Sequence, residues 1–307
     1  MSQGLSACAP AKVNLQLCVT GRRTDGYHTL ESLVVFAGVG DRITVSPGPD
    51  LSLTVTGPFA QGVPDDERNL VIKAARLLAR HRGVRAGAHI VLDKHLPHGG
   101  GIGGGSSDAA TALRLLARLW QVKPLEAQAA LSLGADVPVC MMAPEAQMMR
   151  GIGERLLPLP VPPEGWLVLV NPRIETPTGA MFQALERSEA PPAEDQIQPP
   201  ARAGDLSAFA EWLGRYGNDF AAPLCDLQSP AHRPQIPQIL AQLRATAGCH
   251  AANLSGSGST CWGLFADEAR AGYAAMRLRE EFPHWWVQPA PILGHPDQGD
   301  QDGRHNT

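Results

Sequence analysis

Apolar and polar residues alternate cleanly near the start of the chain. Over residues 11–19, Val13, Leu15, Leu17 and Val19 point one way while Lys12, Asn14 and Gln16 point the other. That period of two predicts a half-buried strand whose polar face carries Lys12 and Asn14 together. Residues 21–26 read as a turn and 29–36 as a second strand. Two short strands, 43–46 and 51–56, flank a Pro-Gly-Pro turn.

The period then changes. Over 69–82, Leu70, Ala74, Leu77 and Leu78 recur at helical spacing until Gly83 stops the run. Residues 89–94 predict another strand. A helix follows over 107–120, with Ala110, Leu113, Ala117 and Trp120 on one side, and a shorter one over 125–133. Beyond Ile152 the pattern gives a strand at 166–170 and a helix at 177–185, opened by Pro177. A surface loop rich in Pro, Ala, Glu and Gln spans 188–204, and helices follow at 206–216 and 236–247. Strands at 250–254 and 261–266 surround a glycine-serine loop and lead to a helix at 268–281. The chain from His295 onward is polar and aperiodic, and is expected to be disordered. Strands come first and helices are then intermixed, without regular strand–helix alternation. This predicts α+β architecture in two lobes, 1–151 and 152–290, with a tail at 291–307.

Composition narrows the partners. The chain has 307 residues, 44% of them apolar, which is enough for two domains with ordinary cores. A formal net charge of −4 gives no electrostatic reason to expect nucleic acid or an anionic membrane as partner. Six scattered cysteines, with no CxxC pair, read as free thiols in a reducing compartment. No signal-peptide pattern is evident, and no apolar run approaches the roughly 18 residues of a membrane span. A soluble, cytoplasmic protein is expected.

The chemistry concentrates in Leu96-Pro97-His98-Gly99-Gly100-Gly101-Ile102-Gly103-Gly104-Gly105-Ser106-Ser107. Six of the seven residues at 99–105 are glycine. Such a run costs roughly 0.5–1 kcal/mol per glycine relative to alanine in regular structure, so something must approach the backbone closely. The loop feeds a helix whose first amides are unpaired and partly positive, a combination that binds phosphate. Ser106 and Ser107 can cap that helix or offer hydroxyls to a phosphate. No Gly-Lys-Ser/Thr follows, so this is not a Walker A loop, and the βαβ context of a dinucleotide fingerprint is missing. A flexible linker would not normally join a strand to a well-formed helix. A second loop, Leu254-Ser255-Gly256-Ser257-Gly258-Ser259, is weak evidence alone and gains weight beside the first.

Together, Pro10-Ala11-Lys12-Val13-Asn14-Leu15, the loop at 99–107 and the loop at 254–259 resemble the three motifs of the GHMP kinases. The similarity runs in order from about residue 10 to 265. Gly26-Tyr27-His28-Thr29-Leu30, Asp93-Lys94-His95-Leu96-Pro97 and Leu133-Gly134-Ala135-Asp136-Val137-Pro138 narrow it to the branch acting on 4-diphosphocytidyl-2-C-methyl-D-erythritol, in the non-mevalonate route to isoprenoids. The resemblance implies an N-terminal lobe like the second domain of ribosomal protein S5, a C-terminal ferredoxin-like lobe and an active site between them. It implies transfer of the γ-phosphoryl group of ATP to the 2-hydroxyl of the methylerythritol unit. Mg²⁺ is implied as well, with Ser107 a candidate ligand and no other residue assigned. Oligomeric state, monomer or homodimer, stays open.

By the same resemblance, Asp136 is the catalytic base and Lys12 the catalytic lysine. Read from residues alone, Asp136 could instead cap a helix or a turn, in a stretch that Gly134 and Pro138 are expected to keep non-helical and rigid. ATP is expected at Asn69, Pro97, His98, Gly99, Gly100, Gly101, Ile102, Gly103, Gly104, Gly105, Ser106 and Ser107. Asn69 could equally be the N-cap of the helix it precedes. Tyr27 and Phe182 are expected around the cytosine, His28 and the Lys94 backbone at its edge, and Asn14 on the sugar-like chain. Phe182 could instead be core packing. Asp108 stands where the family commonly has asparagine, and its side chain is expected to face away from the phosphates. Two alternatives stay in view: a GHMP kinase of another alcohol, such as homoserine or mevalonate, and a silent nucleotide-binding relative.

Overall fold

The consecutive apolar residues Leu33-Val34-Val35-Phe36-Ala37 require a strand covered on both faces. In the computed structural model, which describes residues 4–176, 178–185 and 205–294, they sit within β2 (His28–Ser46). β1 (Leu5–Arg22) pairs antiparallel with β2 along one edge, with a bulge between Pro10 and Ala11. The other edge is divided between β4 (Ala88–Asp93) and β5 (Gln147–Gly151). β3 (Leu51–Thr56) runs parallel to β4, and β6 (Arg155–Pro158) antiparallel to β5. The expected strands at 29–36 and 43–46 are therefore one 19-residue strand.

The second sheet is antiparallel, in the order β10 (Trp286–Pro291), β7 (Trp166–Asn171), β9 (Cys261–Phe265), β8 (Ala251–Leu254). Between β7 and β8 come α5 (Thr178–Leu185), α6 (Leu206–Tyr216), α7 (Ala221–Cys225) and α8 (Gln235–Ala245); α9 (Glu268–Glu281) joins β9 to β10. With α8 and α9 as its crossover helices, this is a ferredoxin-like lobe.

Alternation along β2 separates two cores. Val34 and Phe36 face the helices α1 (Leu70–Arg82) and α2 (Gly104–Leu119), meeting Leu78, Leu113 and Leu116. Leu33 and Val35, with Val13 and Leu15 of β1, face Leu167, Leu169, Trp262 and Leu264 of the second sheet. The far face of that sheet packs Val168 and Val170 on Leu240, Leu243, Ala274 and Leu278 of α8 and α9. Two sheets thus lie face to face between two helical layers.

Three expectations change. Lys12, Asn14 and Gln16 are buried, so the polar face of β1 is not solvated; its Lys12 and Asn14 line a cleft. β6 extends the first sheet to Pro158, past the expected lobe boundary at 151. Ile292 and Leu293 donate to Gly165 and Phe36 carbonyls, so 291–294 belong to the fold. The rest of the expected tail, 295–307, and the loop at 188–204 lie outside the described residues. All six cysteines are free, as expected. Among the described residues no helix is long and apolar enough to cross a membrane.

Candidate active site

α2 begins at Gly104, three residues before the expected start. Ser107 N–H already donates to the Gly103 carbonyl at 2.8 Å, so Gly104, Gly105 and Ser106 form the first turn and point its unpaired amides into the cleft. Gly103 has φ 62°, and a Cβ there would lie 3.0 Å from Lys12 Cε. Gly101 has φ 72°, and its Cβ would stand 2.3 Å from the Ser255 carbonyl oxygen. Glycine is required at both places by handedness and by close approach together. The second glycine-serine loop, between β8 and β9, explains that approach. Ser255 Oγ donates to the Gly101 carbonyl at 2.9 Å, and Thr260 N–H donates to that of Gly100 at 3.0 Å. It acts chiefly as a buttress for the first loop, with Gly256 and Ser257 reaching the cleft.

Most of the loop from Pro97 to Ser106 lines a cleft of about 1080 Å³, larger than a single small-molecule site needs. Two expected nucleotide contacts are not there. The Ile102 side chain is in the core between the sheets, and its carbonyl accepts from Lys12 N–H at 3.0 Å. Ser107 is buried and its Oγ donates to the Pro10 carbonyl at 2.7 Å, tying α2 to β1. Asn69 borders the cleft, but its amide is engaged locally: Oδ1 caps α1 by accepting from Val71 N–H at 2.9 Å, and Nδ2 donates to the Pro64 carbonyl at 2.7 Å.

Lys12 Nζ donates to Asn14 Oδ1 at 2.9 Å and to Asp136 Oδ2 at 3.0 Å, joining residues 124 apart in sequence. The lysine side chain is 4% exposed and the aspartate 36%, so a buried ammonium holds a carboxylate open to the cleft. After the short α3 (Ala127–Ala130), Asp136 immediately precedes α4 (Val137–Cys140), with Pro138 in the first turn, so this stretch opens a helix instead of resisting one. Its carboxylate makes no capping bond. Asn14 is buried; besides holding Lys12, its Nδ2 donates to Ser32 Oγ at 2.7 Å. That amide holds the ammonium and also borders the cleft where the sugar-like chain is expected.

Lys94 departs most from expectation. Its N–H donates to the Thr56 carbonyl at 2.8 Å and its own carbonyl accepts from Phe59 N–H at 3.1 Å, so the donor is already engaged and the carbonyl keeps one acceptor position. Its buried side chain runs under the glycine loop to Asp41 and, at 2.8 Å, to Asp108 Oδ2. Asp108 does turn inward from the loop, onto that lysine. Burial, reinforced by Asp41, pushes the Asp108 carboxyl up to about 8 against the opposing pull of Lys94. Burial disfavours the Lys94 charge, but Asp108 and Asp41 outweigh it and hold the ammonium above its usual value.

Tyr27, His28 and Phe182 border the same cleft. Tyr27 is exposed, while the His28 and Phe182 rings stack at 4.5 Å with 12° between planes. The edge of Phe182 also meets Phe220 at 5.0 Å, so it joins the core and the cleft at once. Sequence reasoning missed Asp41, Phe220 and the hydroxyls of Thr176 and Thr178, to which Ser257 of the second loop is added. Those hydroxyls line the cleft, Thr178 and Ser257 3.0 Å apart. A Thr-Pro-Thr run beside the helix of Phe182 was the available signal.

Comparison with known proteins bears on this geometry. Residues 69–143 match the GHMP kinases N terminal domain and 197–284 the GHMP kinases C terminal model. A 4-diphosphocytidyl-2-C-methyl-D-erythritol kinase of Jannaschia sp. is 53% identical over 286 residues, 93% of this chain and 96% of that one. The chain belongs to the 4-diphosphocytidyl-2-C-methyl-D-erythritol kinase family, within the GHMP kinases. The Cereibacter sphaeroides member is 48% identical over 94% of this chain and 99% of its own. A crystal structure of 4-(cytidine 5'-diphospho)-2C-methyl-D-erythritol kinase superposes with TM-score 0.72 at 33% identity, covering 94% of this chain and all of the other. The two-lobed GHMP kinase fold expected from the motifs is therefore the fold of this family member, and ATP is the phosphoryl donor that family membership implies.

Proposed function

We propose that this kinase transfers the γ-phosphoryl group of ATP to the 2-hydroxyl of 4-diphosphocytidyl-2-C-methyl-D-erythritol, releasing ADP and the 2-phosphate. The observation that carries the reading is the Lys12–Asp136 pair, 3.0 Å apart beside the glycine loop. In this scheme the triphosphate lies on the amides of Gly104, Gly105 and Ser106, with the rest of the loop from Pro97 closing around it. The acceptor hydroxyl sits against Asp136. As its oxygen bonds to the γ-phosphorus, its proton passes to the carboxylate and the bond to the β–γ bridging oxygen breaks. Asn14 and Asp136 occupy two of the three ammonium donors of Lys12, and the third meets an oxygen of the transferred group. Because the transition state of such transfers is loose, Asp136 acts as much by orienting the hydroxyl as by removing its proton.

Cytosine stacks against the His28–Phe182 ring pair, with Tyr27 placed to close over it. A homoserine or mevalonate acceptor has no ring to fill that end. Mg²⁺ would be held mainly by the phosphates, since Asp136 is committed to Lys12 and the acceptor hydroxyl, and would supply charge neutralisation when bound. Among the described residues no group of three or more His, Cys, Asp or Glu side chains is placed to hold a metal ion. We infer that the reaction runs in the cytoplasm, where ATP is at hand and six thiols stay reduced. We propose residues 1–158 as the nucleotide lobe and 166–294 as the lobe that supplies Phe182.

A coupled assay of ADP release should offer ATP with the cytidylated substrate, homoserine and mevalonate in parallel. Turnover with the first alone is expected. Turnover with only homoserine or mevalonate overturns the assignment, and none with any favours a silent relative.

A further inference from the structure

Two carboxylates share one ammonium beneath the glycine loop. Lys94 Nζ lies 2.8 Å from Asp108 Oδ2 and also contacts Asp41 Oδ2, and none of the three side chains is more than 5% exposed. A Cβ on Gly104 would be 3.5 Å from Lys94 Nζ and 3.7 Å from Asp41 Oδ2, so the cluster lies directly under the first turn of α2. As three ions it would hold a net negative charge, away from water, below the amides that receive phosphate. A buried, uncompensated charge of that kind is expensive, and the usual relief is uptake of a proton.

Hydrogen bonding identifies the carboxyl that takes it. Asp41 Oδ1 accepts from His95 N–H at 2.5 Å and Leu96 N–H at 2.9 Å, and its Oδ2 accepts from Lys94. Its charged form is well satisfied. Asp108 has Lys94 on Oδ2, while its Oδ1 is buried with no donor, and the Asp41 carboxylate meets the same ammonium. We propose that Asp108 is a positioning residue carried as a carboxylic acid, sharing its proton with Asp41, and that this proton keeps the floor of the phosphate site neutral so that ATP binds. The inference rests on the ATP site proposed above. The upward shift of Asp108 through burial to about 8 agrees with it.

The neighbouring groups leave this balance local. Lys94 approaches from the end of β4 and Asp41 from β2, while α1 presents Ala74, Ala75 and Leu78 to the same layer. Cys140 of α4 feels the Asp108 charge weakly, behind Asp136 and Lys12, and its thiol is pushed far up by burial. Lys12 of β1 stands beside Gly103 and is already paired with Asp136. The sign follows. Asp108 is neutral below its raised pKa, and above it the added negative charge repels the triphosphate, so ATP affinity falls as pH rises through about 8.

The test pairs infrared difference spectra of wild type and Asp108→Asn with calorimetric ATP titrations from about pH 7 to about pH 9.5. Wild type should show a protonated carboxyl band at neutral pH, absent in the variant and lost on raising the pH. Its ATP dissociation constant should rise about tenfold across the range, while that of Asp108→Asn stays flat. Asp41→Asn, checked by its melting curve, should also be flat, because Lys94 then serves one carboxylate. A missing band at neutral pH, or the same ATP profile in wild type and Asp108→Asn, overturns the proposal. Failure of wild type to bind ATP at any pH removes the site itself, while the carboxyl band would still report whether Asp108 holds a proton.

Discussion

An ammonium that is 4% exposed and tied to one amide and one carboxylate is fixed in direction, and in the proposed reaction that fixation stabilises charge as it develops. Lys12→Met removes the charge while keeping much of the apolar stem. It should lower kcat by about 10²–10³-fold with smaller changes in either KM. Asp136→Asn should lower kcat by roughly 10²-fold or more, at the lower end of base removal because the transition state is loose. The two residues act as one unit, so the double variant should fall well short of the product of the single effects. Steady-state kinetics with both substrates varied checks all three; a Lys12→Met enzyme within a few fold of wild-type kcat would detach that lysine from the reacting oxygens. Phe182→Ala tests the other end of the cleft. Loss of one ring face should raise KM for the cytidylated substrate by about 1–3 kcal/mol, roughly 5–150-fold, and leave KM for ATP nearly unchanged.

Elements whose boundaries are set locally were readable, and those set by distant contacts were not. Asn69 before Leu70 and the left-handed Gly83 after Arg82 bound α1 as the pattern predicts. The helices α6 and α9 match their periodicity as well, and each carries an aspartate N-cap, Asp205 and Asp267. By contrast, β10 contains Pro289 and Pro291 and reads against a strand, yet an edge position beside β7 tolerates both. Glycine is a poor helix former, so the first turn of α2 is invisible in propensity; Lys12, Ser255 and Thr260 impose it. The same division holds in the site. The glycine loop and the Lys12–Asp136 pair stand out as motifs, whereas Asp41 and Lys94 meet across 53 residues with no period to announce them. A matched pair of cap removals follows. Asn69→Ala and Asp205→Ala should each cost about 1 kcal/mol, lowering Tm by about 2–4 °C. Asn69 also holds the Pro64 carbonyl in the cleft wall, so its variant alone should raise KM for ATP. Equal kinetic effects from both would mean that the wall does not depend on this amide.

The two sheets share an interior, and this limits what two lobes means here. Val13, Leu15, Leu33 and Val35 from the first sheet close on Leu167, Leu169, Trp262 and Leu264 from the second, so neither sheet buries both of its faces alone. Burial is worth roughly 1.5–3 kcal/mol for each large apolar side chain, and separating the layers would expose all eight at once. That loss is comparable to the whole stability of a typical domain, about 5–15 kcal/mol. Heating should therefore give a single calorimetric transition, and residues 1–160 expressed alone should show no cooperative melt. In the proposed binding mode the substrate would add a further link, since His28 enters from the first sheet and Phe182 from α5 beyond the second. A ligand at 100 times its dissociation constant adds about 2.7 kcal/mol to the folded state. Because one cytidine ring would touch both layers, that increment should move the single transition as a whole. Two transitions, or one shifting while another stays, would show that the layers unfold separately and that the base is held by one of them.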